Sequence, residues 1–192
     1  MNALDQTLFR ALNGPHGAAL DGCMVLVSNR WVGVAVGLVL ALLLVWRRRQ
    51  GAWPVIASAA LAVALSDTVG ARILKPLIGR VRPCFALPQG TFHQLVAASD
   101  VGSMPSLHAA NAFAVATVLT LADRKAAWVA LPCAAVVAVS RVYVGVHWPS
   151  DVVAGALWGV AAGALSWRSM RRAGPFSRLP PAPEPRPLDR DT

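Results

Sequence analysis

Five stretches of the chain are almost wholly apolar: residues 31–46, 53–74, 107–122, 126–144 and 152–167. A helix that crosses a bilayer needs about 20 such residues. Several of these runs are shorter, so each borrows residues from its flanks, and the first extends back through 23–27 with Arg30 snorkelling to the interface. Whether residues 17–28 make a separate helix stays open at this level. The runs stop at charge. Arg47, Arg48 and Arg49 close the first, Asp123, Arg124 and Lys125 the third, and Arg168 the fifth. Ahead of them, Leu4, Leu8, Phe9 and Leu12 recur at helical spacing with Asp5 and Arg10 among them. That pattern predicts a short amphipathic helix, lying on a membrane surface or packed on the spans. It lacks the basic start, apolar middle and small-residue cleavage site of a secretory signal. The segment from Lys75 to residue 104 is too rich in proline for a long helix, and the tail from Ser169 carries six prolines and no apolar period, which predicts disorder.

The expected architecture is therefore all-α: an integral membrane bundle of about five transmembrane helices plus an N-terminal amphipathic helix. Residues 1–167 form the membrane domain, with 1–30 as an interfacial segment, and 168–192 a basic, proline-rich tail. Composition agrees. Of 192 residues, 56% are hydrophobic and 14% charged, against roughly a quarter charged in globular chains. Lys and Arg number 18 against 9 acidic residues, for a net charge of +9. Such an excess often signals nucleic acid, but here the cations sit at the ends of apolar runs, which argues for membrane lipids as the partner and against nucleic acid. Arg47 to Arg49, Arg124 with Lys125, and Arg168, Arg171 and Arg172 fall on one face of a five-span layout. The positive-inside rule makes that face cytoplasmic, with the C-terminus on it, and turns the loop 75–104 and the turn 145–151 toward the periplasm of a bacterial-type inner membrane. Trp31, Trp46, Trp53, Trp148 and Trp167 lie at span ends, as an aromatic belt would place them. Cys23 and Cys133 lie in apolar stretches and are expected to be buried, inert thiols. His16 and His93 read as surface residues, Asp67 with Arg72 as a polar pair inside the second span, and the small residues Ala154, Gly155, Gly159, Ala162 and Gly163 as a close-packing helix face.

Most remaining ionisable residues gather in three short stretches of the periplasmic face. The first runs from Lys75 through Arg80 and Arg82 to Pro83. The second holds Ser103, Pro105, Ser106 and His108. The third holds Ser140, Arg141, His147 and Asp151. Ionisable groups at membrane depth are costly and point to function. Lys75, Arg82 and Arg141 at one mouth would repel each other unless an anion joined them, and a phosphate offers up to two charges and three acceptor oxygens. The second stretch reads as a helix start, with Ser103 as cap and Pro105 in the first turn, its N–H groups near Ser106 to His108 aimed at such an anion. His108 is placed to give a proton to a leaving oxygen. Asp151, four residues after His147, can orient that imidazole and leave its other nitrogen a nucleophile. Arg80 lies inside the first stretch but off its fixed positions.

These residues resemble the type 2 phosphatidic acid phosphatase family, the lipid phosphate phosphatase superfamily that also contains vanadium-dependent haloperoxidases. The likeness rests on Lys75 separated by six residues from Arg82-Pro83, on Pro105-Ser106-x-His108, and on Ser140-Arg141 with five residues to His147 and three more to Asp151. The order and spacing are similar to those of short bacterial undecaprenyl-diphosphatase-like members. The resemblance implies a lipid phosphatase. Lys75, Arg82, Arg141, Ser106 and the N–H of Leu107 would hold the phosphoryl oxygens. His147 would form a phosphohistidine, Asp151 orient it, and His108 serve as acid and then base, with neither metal nor cofactor. Leu107 stands where the family often has glycine. Undecaprenyl diphosphate is the favoured substrate, with phosphatidic acid, phosphatidylglycerol phosphate and a phosphorylated lipid A as alternatives. Transfer of the phosphoryl group to another lipid, or non-catalytic carriage of a lipid phosphate, are the rival activities.

Overall fold

The computed structural model describes residues 3–48, 52–99 and 102–173, and every regular element among them is helical. A short helix α1 (Ala3–Leu12) precedes α2 (Ala18–Ser28) and α3 (Arg30–Arg48). Then come α4 (Ala52–Val69), a π-turn (Gly70–Leu74), and the short helices α5 (Lys75–Ile78) and α6 (Pro83–Ala86). Helices α7 (Leu107–Ala122), α8 (Ala127–Tyr143) and α9 (Pro149–Arg172) complete the bundle. The five apolar runs thus reappear as α3, α4, α7, α8 and α9. Residues 17–28 do form their own helix, bent 65° from α3 at Asn29. Residues 168–172, assigned to the tail from sequence, continue α9. The rest of the proline-rich tail beyond residue 173, like Arg49, lies outside the described residues.

By length and composition, Ala52–Ala86 and Arg124–Tyr143 can each cross a membrane, and the bent α2–α3 pair passes the same test as one span. α7 is apolar but shorter.

The core is built on α7 and α9, which pack along their whole length with α4 against both and α8 against α7. Small residues make this possible. Gly155, Gly159 and Gly163 repeat every four residues on α9 and face the carbonyls of Ser106, Ala110 and Ala114, which repeat every four on α7. A Cβ on any of the three would lie only 2.1–2.6 Å from the facing carbonyl oxygen. Matching rows of this kind let two backbones touch, which is what drives helix association where lipid removes the hydrophobic difference. Hydrogen bonds across the bundle add to it: Trp158 Nε1 donates to Ser66 O (3.1 Å) and Ser166 Oγ to Ser58 O (2.6 Å). α3, by contrast, makes only light contact with α2 and α4 and exposes apolar side chains along most of its described length.

Four expectations need correction. Trp31, Trp46 and Trp53 are exposed, but Trp148 and Trp167 are buried in the core rather than in a belt, because the turn before α9 and the last turns of α9 fold inward against α1 and α4. Cys23 and Cys133 are exposed on outward helix faces, and it is Cys84, beside Arg82, that is buried. Asp67 accepts a hydrogen bond from Asn111 Nδ2 (2.9 Å) across the α4–α7 contact instead of meeting Arg72. His93 is half-buried, with Nδ1 3.3 Å from Gly14 O and Nε2 3.8 Å from Asp21.

Candidate active site

The three polar stretches converge because backbone groups stitch them together. Ser103 N–H donates to Arg80 O (2.7 Å), joining the first to the second, and Ser106 N–H donates to Asp151 O (2.9 Å), joining the second to the third. Arg82 reaches the third directly. Its Nη1 donates to Val146 O and lies 3.0 Å from His147 Nε2. A guanidinium has no acceptor, so Nε2 must offer its lone pair to that N–H. The ring proton then belongs on Nδ1, which faces Asp151 Oδ2 at 3.4 Å. The geometry alone selects the tautomer with an unprotonated Nε2.

Each side chain is held by its element. The π-turn sets Lys75 at the start of α5, buried, with Nζ donating to Gly102 O. Arg141 sits buried near the end of α8, where Nη1 donates to Ser28 O (2.8 Å) and to Ser28 Oγ at the tip of α2. Ser28 is a partner that sequence did not suggest, being 113 positions away. Ser106, not Ser103, is the residue that precedes the first turn of α7. Ser103 instead donates its hydroxyl to Asp151 Oδ2, which also accepts from Trp148 N–H (2.8 Å), while Asp151 Oδ1 accepts from Arg80 Nη1 (2.8 Å). Asp151 is wholly buried under these donors. His108 is half-buried in the first turn of α7, close enough to Arg141, Arg82 and Lys75 to feel their charges. Leu107 opens α7, and its side chain packs on Gly70 of the π-turn, where a Cβ would lie 2.5 Å from Leu107 Cδ2. A cavity of about 360 Å³ adjoins Lys75, Arg80 and Arg82, with Val81 and Phe85 forming an apolar rim.

Two donors in this cluster stand out. Ser106 Oγ and Arg141 Nε are buried and have no hydrogen-bond partner among the described residues. A buried donor left unmade costs about 1–3 kcal/mol, and native structures rarely carry one without a reason. Set among Lys75, Arg82 and Arg141, both could be satisfied by an anion with several acceptor oxygens.

His147 lies in the turn between α8 and α9, outside the spanning helices. Burial holds its imidazole far below the ordinary value of 6.5, to about 3; Asp151 opposes this and the charges of Arg82 and Arg141 reinforce it. The ring is therefore neutral at physiological pH. A sign follows for stability. The unfolded chain takes up this proton as pH falls through about 6.5 and the folded one only near 3, so the folded state loses stability across that window. The melting midpoint in detergent should fall between pH 7 and pH 4, and should fall less in His147→Asn. Equal slopes for the two proteins would contradict a neutral, buried imidazole.

Residues 51–175 match the PAP2 superfamily model. The chain is 33% identical to an undecaprenyl-diphosphatase of Sulfolobus acidocaldarius over 179 residues, covering 90% of this chain and 81% of that one. It is 30% identical to a lipid A 4'-phosphatase of Bacteroides thetaiotaomicron, covering 86% and 76%. The crystal structure of LpxE from Aquifex aeolicus superposes with a TM-score of 0.73 at 27% identity, over 87% of this chain and 96% of that one.

Proposed function

The chain belongs to the PAP2 superfamily of membrane lipid phosphatases, and from that premise we propose that it removes phosphate from an amphiphilic lipid through a covalent intermediate on His147. The observation that carries this reading is the pair of buried, unpartnered donors, Ser106 Oγ and Arg141 Nε, set among buried cations beside an unprotonated Nε2.

The lipid phosphate accepts hydrogen bonds from Lys75, Arg82, Arg141, the Ser106 hydroxyl and the Leu107 N–H. Drawing Arg82 onto a phosphoryl oxygen frees the Nε2 lone pair it now covers. Nε2 then attacks phosphorus while the bond to the leaving oxygen breaks, and His108 gives that oxygen a proton; a bound phosphate favours the protonated form of His108. The new N–P bond leaves the imidazole positive, and its Nδ1–H toward Asp151 offsets that charge. In the second half, neutral His108 takes a proton from water as the water oxygen attacks phosphorus. The N–P bond breaks, phosphate leaves, and His147 is again neutral. The fixed cations carry the transition-state charge in both halves.

Undecaprenyl diphosphate is the substrate this reading favours, on the similarity to the Sulfolobus enzyme and on the apolar rim of Val81 and Phe85 beside the cations. A phosphorylated lipid A is the second reading, supported by the Bacteroides relative and the Aquifex structure. The proposal includes five spans in a bacterial inner membrane, a periplasmic site and a cytoplasmic C-terminus. The deciding experiment measures phosphate release by purified protein from undecaprenyl diphosphate, phosphatidic acid, phosphatidylglycerol phosphate and lipid A, each with and without a chelator. The highest rate is expected on undecaprenyl diphosphate and unchanged by chelation. A higher rate on lipid A replaces the first substrate reading with the second, and loss of activity with chelator contradicts the metal-free scheme.

A further inference from the structure

Helix α1 has two faces. Leu4, Leu8 and Leu12 are 62%, 43% and 37% exposed, whereas Asp5, Phe9 and Asn13, the neighbouring row at the same spacing of four, are 6%, 1% and 6% exposed. The buried row lies along the segment that carries His147. Asn13 Nδ2 donates to Tyr143 O (2.7 Å), the Phe9 ring meets the Trp148 ring at 5.2 Å, and Asp5 Oδ1 accepts from Ser150 N–H (2.9 Å). Asp5 Oδ2 accepts from Ser150 Oγ (2.6 Å) and pairs with Arg80, and Arg80 also donates to Asp151 Oδ1 (2.8 Å). Burial pushes the Asp5 carboxyl up, but the hydrogen bonds from Ser150 and Arg80 more than offset it, so Asp5 stays ionised.

The result is a chain of alternating charge, Asp5, Arg80 and Asp151, that ends on the imidazole of His147. Resting on the phosphohistidine reading above, we infer that Arg80, clamped by Asp5, is a positioning residue for the reaction. Arg80 pins one oxygen of Asp151 so that the other stays turned to His147 Nδ1. Asp5 balances the Arg80 charge, so Asp151 keeps its negative charge for the imidazole that becomes positive on attack. α1 thereby supports the catalytic apparatus through its buried row, while its leucine row stays exposed.

The test is steady-state kinetics of purified full-length Arg80→Gln, Arg80→Lys, Asp5→Asn and the Asp5→Asn/Arg80→Gln double variant, on whichever of the four lipids reacts fastest. Arg10→Gln, on the exposed side of α1, is the control and should match wild type. Arg80→Gln should lower kcat roughly 10- to 100-fold, the range typical when a partner that orients a functional group is lost, with KM within about twofold. Arg80→Lys should recover part of that loss. The double variant should be no slower than Arg80→Gln alone, because both residues act through one contact. The inference is overturned if Arg80→Gln keeps kcat within about twofold of wild type, if KM rises in place of the fall in kcat, or if the Asp5 and Arg80 effects multiply. Should Arg80→Gln fail to melt cooperatively, Arg80→Lys and Asp5→Asn decide on the same two parameters. His147→Ala is assayed alongside. If it is active, the phosphohistidine reading itself fails; if it is dead while the Arg80 and Asp5 variants run at wild-type speed, only the positioning role fails.

Discussion

Purified His147→Ala should turn over lipid phosphate at less than about one ten-thousandth of the wild-type rate, the scale seen when a nucleophile is removed from a catalytic unit. Its melting transition at pH 7 should survive. The expectation rests on four contacts. Arg82 covers Nε2 and so marks it as the basic nitrogen, Asp151 faces Nδ1, and Ser103 and Trp148 fix the carboxylate that does so. Alanine removes the attacking atom and leaves the cations able to hold substrate, so bound lipid should still be detectable while phosphate release stops. Trapping labelled phosphate on wild-type protein, and finding none on the variant, separates loss of the covalent step from loss of binding. A His147→Ala protein that keeps a tenth of the wild-type rate would remove this residue as the nucleophile.

Gly159→Ala should be the most damaging single methyl in the bundle. Its Cβ would lie 2.1 Å from Ala110 O and within 3.0 Å of two more backbone atoms of the same residue. No side chain can rotate away, so α7 and α9 must part. Forced overpacking typically costs about 1–3 kcal/mol and more where backbone must move; here the upper end is expected. The same separation pulls Ser106 from Asp151, one helical row away, so activity should fall with stability. Gly33→Ala and Gly37→Ala make the matched comparison, because no described atom lies within 4 Å of a Cβ at either position. They should melt like wild type. A Gly159→Ala protein with an unchanged melting midpoint would mean that the tight α7–α9 contact is not what holds the bundle.

Much of this was readable from residue order, and the reasons for the rest are physical. The five long helices were legible because lipid-facing helices are apolar for a full run and stop at charge. The four-residue step from His147 to Asp151 was legible because Pro149 starts a helix between them. The glycine row of α9 was legible as a packing face, though not the partner it touches. What sequence hid were contacts between distant positions. Ser28 and Arg141 are separated by 113 residues, and Asp5 and Ser150 by 145. Leucines at 4, 8 and 12 drew attention to the lipid side of α1 and away from the mixed row of Asp5, Phe9 and Asn13. A tryptophan before a span resembles a belt residue, but the indole N–H of Trp148 donates to Val81 O inside the protein. Serine favours a helix cap, yet the Ser103 hydroxyl serves a carboxylate 48 residues on.

The seat of Leu107 on Gly70 joins two parts of the candidate site that come from different stretches of the chain. Lys75 follows the π-turn by one residue, and Ser106 and His108 flank the leucine. In the mechanism proposed above, this lysine draws the headgroup in and this histidine discharges its leaving oxygen, and the two are thus riveted to a common plate. Replacing either member of this knob and dimple alone would leave a hole or a clash. Any transplant of a glycine into position 107 from a relative would have to bring a larger residue to position 70 with it.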